Sequence, residues 1–421
     1  MEIQMKYWKK LNSEERLNRV QQALKDNVDF SKDASLGYPA SRLDERVFPE
    51  GAIFLREKPV LSTYLANPNH IGCHTFGTSE SAFKGTQALE REVLNMIAVD
   101  LFKIEEGQFD GYISPGGTEA NIQAIWIYRN EFMKTHGAKI DEIVILASQD
   151  THYSIPKAAN LLMIDWERIG VDPFTRQLTT EKVSTTIQSC LDRGKKYFIV
   201  IANMGTTMFG SVDDPKVYTC ILKQLQIPFR LHVDGAYGGF VYPFGDFENL
   251  IDFRNPDVSS ITIDAHKMLQ SPYGTGIFVC RKGLIQHVLT SEAAYVEGMD
   301  LTLCGSRSGA NAVAVWVILT TYGPHKWFEK ISVIKMRTNW FCKQLDQMGI
   351  GYFREPEMNI VTLRAEEIPE HIAHKYTLVP ESHDESNKWY KIVLMDHVEI
   401  EHLKSFLQDL SYSKSPINKG I

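Results

Sequence analysis

The stretch Ser259-Ser-Ile-Thr-Ile-Asp-Ala-His-Lys267 constrains this chain more than any other. Ile261 and Ile263 alternate with Ser260, Thr262 and Asp264, the period-two pattern of a strand. The apolar run stops at His266-Lys267, and a turn containing Pro272 and Gly274 follows. A lysine at the mouth of an apolar strand is costly to bury as a free ammonium unless it is paired or reacts. That setting suits a lysine that forms a Schiff base. It also suits one whose stem lies along the strand while its head reaches water. The choice depends on what the chain brings to the same place.

Between residues 110 and 282 short apolar runs alternate with helical patterns. Strands are expected at 111–114, 143–147, 198–202, 230–233, 259–263 and 276–280, and helices at 119–136 and 180–193. This repetition argues for an α/β architecture, a mostly parallel central sheet covered by helices on both faces. Ligands collect at the carboxyl ends of the strands in such sheets. Upstream, a helix is expected at 13–25 and an amphipathic one at 86–102, with Leu89, Val93, Met96, Ile97 and Leu101 at helical spacing. Downstream, an apolar helix over 312–319 leads into an α+β unit with strands near 359–363 and 389–393. The expected division is an N-terminal arm (1–75), a large domain (76–309) and a small C-terminal domain (310–421).

Four further motifs close other strands. Pro115-Gly-Gly-Thr-Glu-Ala-Asn121 leaves free backbone N–H groups at a helix start, which fits a phosphate; a turn capped by Thr118 explains it equally. Its spacing matches neither a P-loop nor a dinucleotide fingerprint. His232-Val-Asp-Gly-Ala-Tyr-Gly-Gly239 puts Asp234 at the end of an apolar run, where a buried carboxylate needs a cationic partner such as a protonated ring nitrogen. Read alone, it also fits an aspartate capping the next segment. His152 follows the 143–147 strand and could lie on a planar ring or be an ordinary loop histidine. Met204-Gly-Thr-Thr207 sets two hydroxyls at another strand end.

In this combination (Gly116-Gly-Thr-Glu-Ala-Asn121, His152, Gly205-Thr-Thr207, Asp234-x-Ala236 and His266-Lys267) the chain resembles the group II pyridoxal-phosphate decarboxylases of fold type I, over roughly residues 60–410. It is most similar to the archaeal tyrosine/aspartate decarboxylases and the bacterial pyridoxal-dependent histidine decarboxylases, and sphingosine-phosphate lyases share most of these motifs. The resemblance implies pyridoxal 5'-phosphate as cofactor and removal of CO₂ from an aromatic, acidic or histidine L-amino acid. Lys267 would carry the cofactor covalently and assist proton transfer. Asp234 would hold the pyridine nitrogen protonated. Ala236 and His152 would cover the two ring faces, and Thr207 would lie near the ring's 3-oxygen. Gly117, Thr118 and His266 would bind the phosphate. Tyr295, on a loop expected to cover the substrate, would donate a proton. Gly305-Ser-Arg307 resembles a segment that reaches the active site of a partner subunit in a homodimer. Departures are Gly235 after the aspartate and Asp264 where some members place a phosphate-binding serine or asparagine, so that contact is not carried over.

For an acidic substrate, Arg307 or Lys84 could supply the cation. Carbon–carbon cleavage of a phosphorylated amino alcohol is the alternative activity, and a silent regulatory homologue is a third reading that intact Lys267, Asp234 and His152 oppose. The net charge of −7 disfavours nucleic acid and anionic membrane as partners. The longest apolar segments, such as 310–320, fall short of the roughly 20 residues that span a bilayer. The six cysteines are scattered without a C-x-x-C pair, which suits reduced thiols in a cytoplasm. His70-Ile-Gly-Cys73-His74 has some metal-site character, but with no further ligand set evident no metal is expected. Residues 67–83 are expected at the substrate entrance instead.

Overall fold

Seven strands form the central sheet in a computed structural model, which describes residues 5–29, 62–72, 75–245, 250–293, 296–383 and 387–414. They are β1 (Phe109–Ser114), β2 (Ile143–Ser148), β3 (Asp165–Ile169), β4 (Tyr197–Asn203), β5 (Phe229–Asp234), β6 (Val258–Asp264) and β7 (Gly276–Arg281). Their spatial order is β1-β7-β6-β5-β4-β2-β3. Pairings from β6 through to β3 are parallel; only β7 runs against its neighbours. The reversal follows from the short return between Asp264 and Gly276, which stand opposite one another in the register. Antiparallel strands need only such a short connection, whereas parallel ones need a crossover.

Alternate residues of each strand enter different cores. Val144, Leu146, Val200 and Ile261 face one side with α2 (Lys84–Asn95), α5 (Thr180–Asp192) and α6 (Lys216–Gln224). Ile143, Ile145, Ile199 and Ile201 face the other, under α3 (Gly117–His136) and α4 (Ser154–Leu162). The expected strands and helices are therefore present, the strands and α3 extended by one or two residues and α5 ending one residue early. The edge strand β3 escaped the sequence reading because Asp165, Glu167 and Arg168 interrupt its hydrophobicity. Those charges belong at a sheet edge, where they discourage pairing with another chain. Two of them are paired, Asp165 with Lys195 and Glu167 with Arg193.

The first helix, α1 (Ser13–Asp26), lies where expected. The amphipathic segment splits: α2 ends at Asn95 and a wider π turn, Met96–Leu101, follows. That turn carries Asp100, whose carboxylate accepts the backbone N–H groups of Lys6, Tyr7 and Trp8 at 2.9, 2.7 and 2.6 Å. Lys84-Gly85-Thr86, whose lysine was a candidate cation for an acidic substrate, begins α2 against α1. Asn27 accepts from the N–H groups of Gly85 and Thr86, and a Cβ on Gly85 would stand 1.9 Å from the Ala23 carbonyl oxygen.

The apolar 312–319 segment belongs to the long helical stretch α7 (Gly309–Gln347), broken at Gly323-Pro324. Pro324 has no N–H to offer the Thr320 carbonyl, which accepts from Leu11 N–H instead at 2.8 Å. The Leu319 carbonyl accepts from the Trp8 indole at 2.8 Å. Beyond α7, β8 (Tyr352–Phe353), β9 (Ile360–Arg364), β10 (Val379–Pro380) and β11 (Trp389–Val393) form an antiparallel sheet ordered β8-β9-β11-β10, and α8 (Ile400–Lys414) follows. Among the described residues no helix is long and apolar enough to cross a membrane. Replacing Trp8 by Phe keeps the buried ring but leaves the Leu319 carbonyl without its donor. Denaturant unfolding should show a loss of about 1–3 kcal/mol.

Candidate active site

The carboxyl ends of β1, β2, β4, β5 and β6 open onto one edge of the sheet, and there the end of β6 meets the start of α3. Gly116 takes φ 139°, a conformation glycine reaches without a steric penalty. This turns the Gly117 N–H onto the Asp264 carboxylate at 2.5 Å. A Cβ on Gly117 would stand 3.0 Å from that oxygen, so a side chain here would crowd the cradle. The other carboxylate oxygen of Asp264 lies 2.8 Å from Lys267 Nζ and 3.8 Å from His266 Nε2. His266 Nδ1 is turned away, donating to the Thr275 carbonyl at 3.0 Å. A cleft of about 590 Å³ opens over this group, lined also by Thr118, Ile122, His152, Tyr153 and Leu303.

Asp234 ends β5 on the sheet face that α3 covers. Its Oδ2 accepts from the Asn121 carboxamide at 2.8 Å and its Oδ1 from the Ala236 N–H at 3.1 Å. The Ala236 carbonyl in turn accepts from the Asp264 N–H, binding the ends of β5 and β6 together. Small residues after Asp234 are required: a Cβ on Gly238 would meet the Met204 carbonyl oxygen at 2.1 Å. His152 lies at the cleft with Ser154 Oγ 2.9 Å from its Nδ1. Burial lowers its pKa; the nearby Asp234 opposes the shift and the Lys267 ammonium adds to it.

Gly117, Thr118, His152, His266 and Lys267 thus share one cleft, with Asp234 and Ala236 joined to it through the end of β6. Thr207 is exposed, and its carbonyl accepts from Lys391 Nζ at 3.0 Å. Tyr295 lies outside the described residues, as do Cys73 and His74. Lys391 itself was not anticipated. It comes from β11, and its pKa is lowered by burial and then by the Lys267 ammonium. Its signal was the one that marked Lys267, a lysine within an apolar strand (Trp389-Tyr-Lys-Ile-Val393).

Arg307 corrects the sequence reading. It is buried in its own subunit, donating to Glu90 at 2.6 Å and to the Gly72 and Ile113 carbonyls. Burial alone would raise the Glu90 pKa, but Arg307 and His70 hold it far below the usual carboxylate range. Arg307 is therefore committed to a buried ion pair and cannot serve a substrate's side-chain carboxylate. His70 packs there too, its Nε2 2.7 Å from Thr86 Oγ1.

The model of the pyridoxal-dependent decarboxylase conserved domain matches residues 60–361. The chain belongs to the pyridoxal-dependent decarboxylase family. It is 48% identical over 406 residues to the tryptophan decarboxylase of Clostridium sporogenes, covering 96% of this chain and 97% of that one. The L-aspartate decarboxylase of Thermococcus kodakarensis is 32% identical over 340 residues, with 77% and 82% covered. Among solved structures, a sphingosine-1-phosphate lyase of Burkholderia pseudomallei superposes with a TM-score of 0.67 at 18% identity, covering 91% of this chain and 93% of that one, a likeness of fold alone. This decarboxylase is a fold-type-I enzyme that uses pyridoxal phosphate to decarboxylate an amino acid. The residues of its cleft fit that cofactor: the Thr118 hydroxyl, the His266 imidazole and Lys267 stand on one side, beside a Gly117 N–H that Asp264 holds in this structure, and the Asp234 carboxylate stands beyond them.

At the end of β4, Asn203 donates from its backbone and side chain to Asp213 at 2.8 and 2.7 Å. Burial pushes the Asp213 carboxyl up to about 7, against about 3.9 unfolded. A carboxyl that holds its proton more tightly when folded contributes stability below the unfolded pKa, and that contribution is lost as pH rises through about 7. Asp213→Asn retains an acceptor for both donors and escapes this loss. Its stability relative to wild type should rise between pH 5 and 8, by on the order of 2–4 kcal/mol, in paired thermal melts.

Proposed function

We propose that the substrate is an aromatic L-amino acid, L-tryptophan foremost, released as its amine and CO₂. The observation that carries this is the 48% identity to a tryptophan decarboxylase over nearly the whole chain. The chemistry of the cleft agrees. Ile122, Tyr153 and Leu303 offer apolar and aromatic surface, and among the described lining residues the one lysine or arginine is Lys267. An acidic side chain would need a further cation, and Arg307 is spent on Glu90.

In this reading Lys267 binds the cofactor, and Gly117, Thr118 and His266 hold its phosphate at the start of α3, where the helix dipole favours an anion. Asp234 faces the ring nitrogen and keeps a proton on it, while His152 and Ala236 cover the ring. Pyridoxal phosphate, when bound, supplies an electron sink for the pair left behind as CO₂ departs. Thr207, beside Lys391, would lie near the ring's 3-oxygen. Lys391 places a second ammonium near Lys267, suited to the α-carboxylate. Tyr295 remains the candidate proton donor to Cα. We also infer a cytoplasmic homodimer: Tyr153 and Tyr273, 64% and 89% exposed at or near the cleft, are surfaces a second subunit can cover. The arm (1–75), large domain (76–309) and small domain (310–421) are the division we propose.

Incubation with L-tryptophan, L-tyrosine, L-histidine, L-aspartate and L-glutamate, reading CO₂ and amine, tests the substrate. The highest kcat/KM is expected for tryptophan; a higher value for aspartate would overturn the reading. Lys391→Met should raise KM for that substrate roughly tenfold without a fall in kcat, because the carboxylate loses its charge as CO₂ departs and the contact belongs to the bound substrate.

A further inference from the structure

Asn121 closes the Gly-Gly-Thr-Glu-Ala-Asn motif, yet it lies a full turn down α3, buried and away from the cleft lining. It makes three polar contacts. Its Nδ2 donates to Asp234 Oδ2 at 2.8 Å and to Ser154 Oγ at 2.9 Å, and its Oδ1 lies 2.9 Å from His232 Nε2. An ionised carboxylate only accepts, so Asp234 decides which way the carboxamide faces. Everything else follows in sequence.

With Oδ1 turned to His232, the Nε2 of that histidine must carry a proton. His232 is wholly buried, and burial drives its pKa down to about 3, so it is neutral and its Nδ1 accepts. Ser260 Oγ lies 2.6 Å from that Nδ1 and donates to it, which leaves Ser260 to accept from the Tyr128 hydroxyl. On the other branch Ser154 Oγ accepts from Asn121, so its own proton goes to His152 Nδ1 at 2.9 Å. The Ser154 N–H points to the same nitrogen at 3.2 Å. Two donors at Nδ1 leave the His152 proton on Nε2. One carboxamide thus links the state of Asp234 to both histidines.

We propose that Asn121 is a positioning residue that holds Asp234 as a carboxylate aimed at the cofactor's ring nitrogen and fixes His152 and His232 as neutral Nε2–H tautomers. This rests on the assignment of Asp234 to that nitrogen. Without the carboxamide, Asp234 keeps only the Ala236 N–H and loses a hydrogen bond that favours its charged form. The titratable groups gathered round Asp234 and His152 are Lys267 and Asp264 at the end of β6, Lys157 on α4, and His232 within β5. None of them supplies the contact that Asn121 makes.

The isosteric Asn121→Asp provides the test. It keeps an oxygen for His232 but sets a second carboxylate against Asp234, and like charges raise each other's pKa. Ionised Asp234 is needed for activity, so the acid limb of kcat moves to higher pH. The dissociation constant for pyridoxal phosphate, measured by equilibrium dialysis, rises roughly 10–100-fold, the scale seen when support of a ligand-holding group is removed. A residue that merely fills space would leave both at wild-type values in a variant of equal size, and that result overturns the proposal. ¹⁵N-histidine NMR of the wild-type holoenzyme, with signals assigned by substitution, stands independent of how the variant folds. Nε2–H resonances for His152 and His232 from pH 6 to 8 are expected, and an Nδ1–H tautomer or an imidazolium at either overturns it. Asp234→Asn separates the two claims. If it binds cofactor like wild type, the Asp234 assignment fails; if it binds weakly while Asn121→Asp does not, only the role of Asn121 fails.

Discussion

The Asp264 carboxylate is the joint on which the site depends. It receives the Gly117 N–H from the start of α3 and the Lys267 ammonium from the loop after β6. Through these contacts a helix start and a strand end 147 residues apart are held face to face. A carboxylate is affordable there because two donors satisfy it, one of them charged. The backbone of Asp264 adds a third tie, donating to Ala236. The start of α3, the amine of Lys267 and the carboxylate of Asp234 are thereby fixed on three elements by one residue and its neighbours.

Behind that joint lies a constraint of the sheet. A doubly covered sheet buries both faces of every central strand, and Ser260, Thr262, His232 and Asp234 all point under α3. Buried polar groups must find partners. Tyr128, Asn121 and Ser154 supply them from the helix layer. The polar positions of the Ile261/Ile263 strand are therefore not a solvent face but one side of a buried network that ends at the catalytic edge.

What was legible in the sequence was whatever local pattern determines. Strand ends carrying Gly117, His152, Asp234 and Lys267 were visible because apolar runs stop there, and topology brings those ends to one edge. The charged edge strand β3 was not visible, since its polarity answers to position in the sheet rather than to period. Arg307 was misread because its partner Glu90 stands 217 residues away and nothing local announces an ion pair. Lys391 was missed although its pattern repeats that of Lys267. Its meaning comes only from the fold, which returns β11 to the first lysine. Gly85 needed the packing of α1 against α2 to explain it.

The proximity of those two lysines makes the central claim testable. Reducing the holoenzyme with borohydride fixes the cofactor to whichever amine holds it, and peptide mass mapping then reads the site. The account predicts the label on the peptide containing Lys267, held by Asp264 at the end of β6. Label on the Lys391 peptide instead would contradict it, and with it the reading of the β6 edge as the catalytic one.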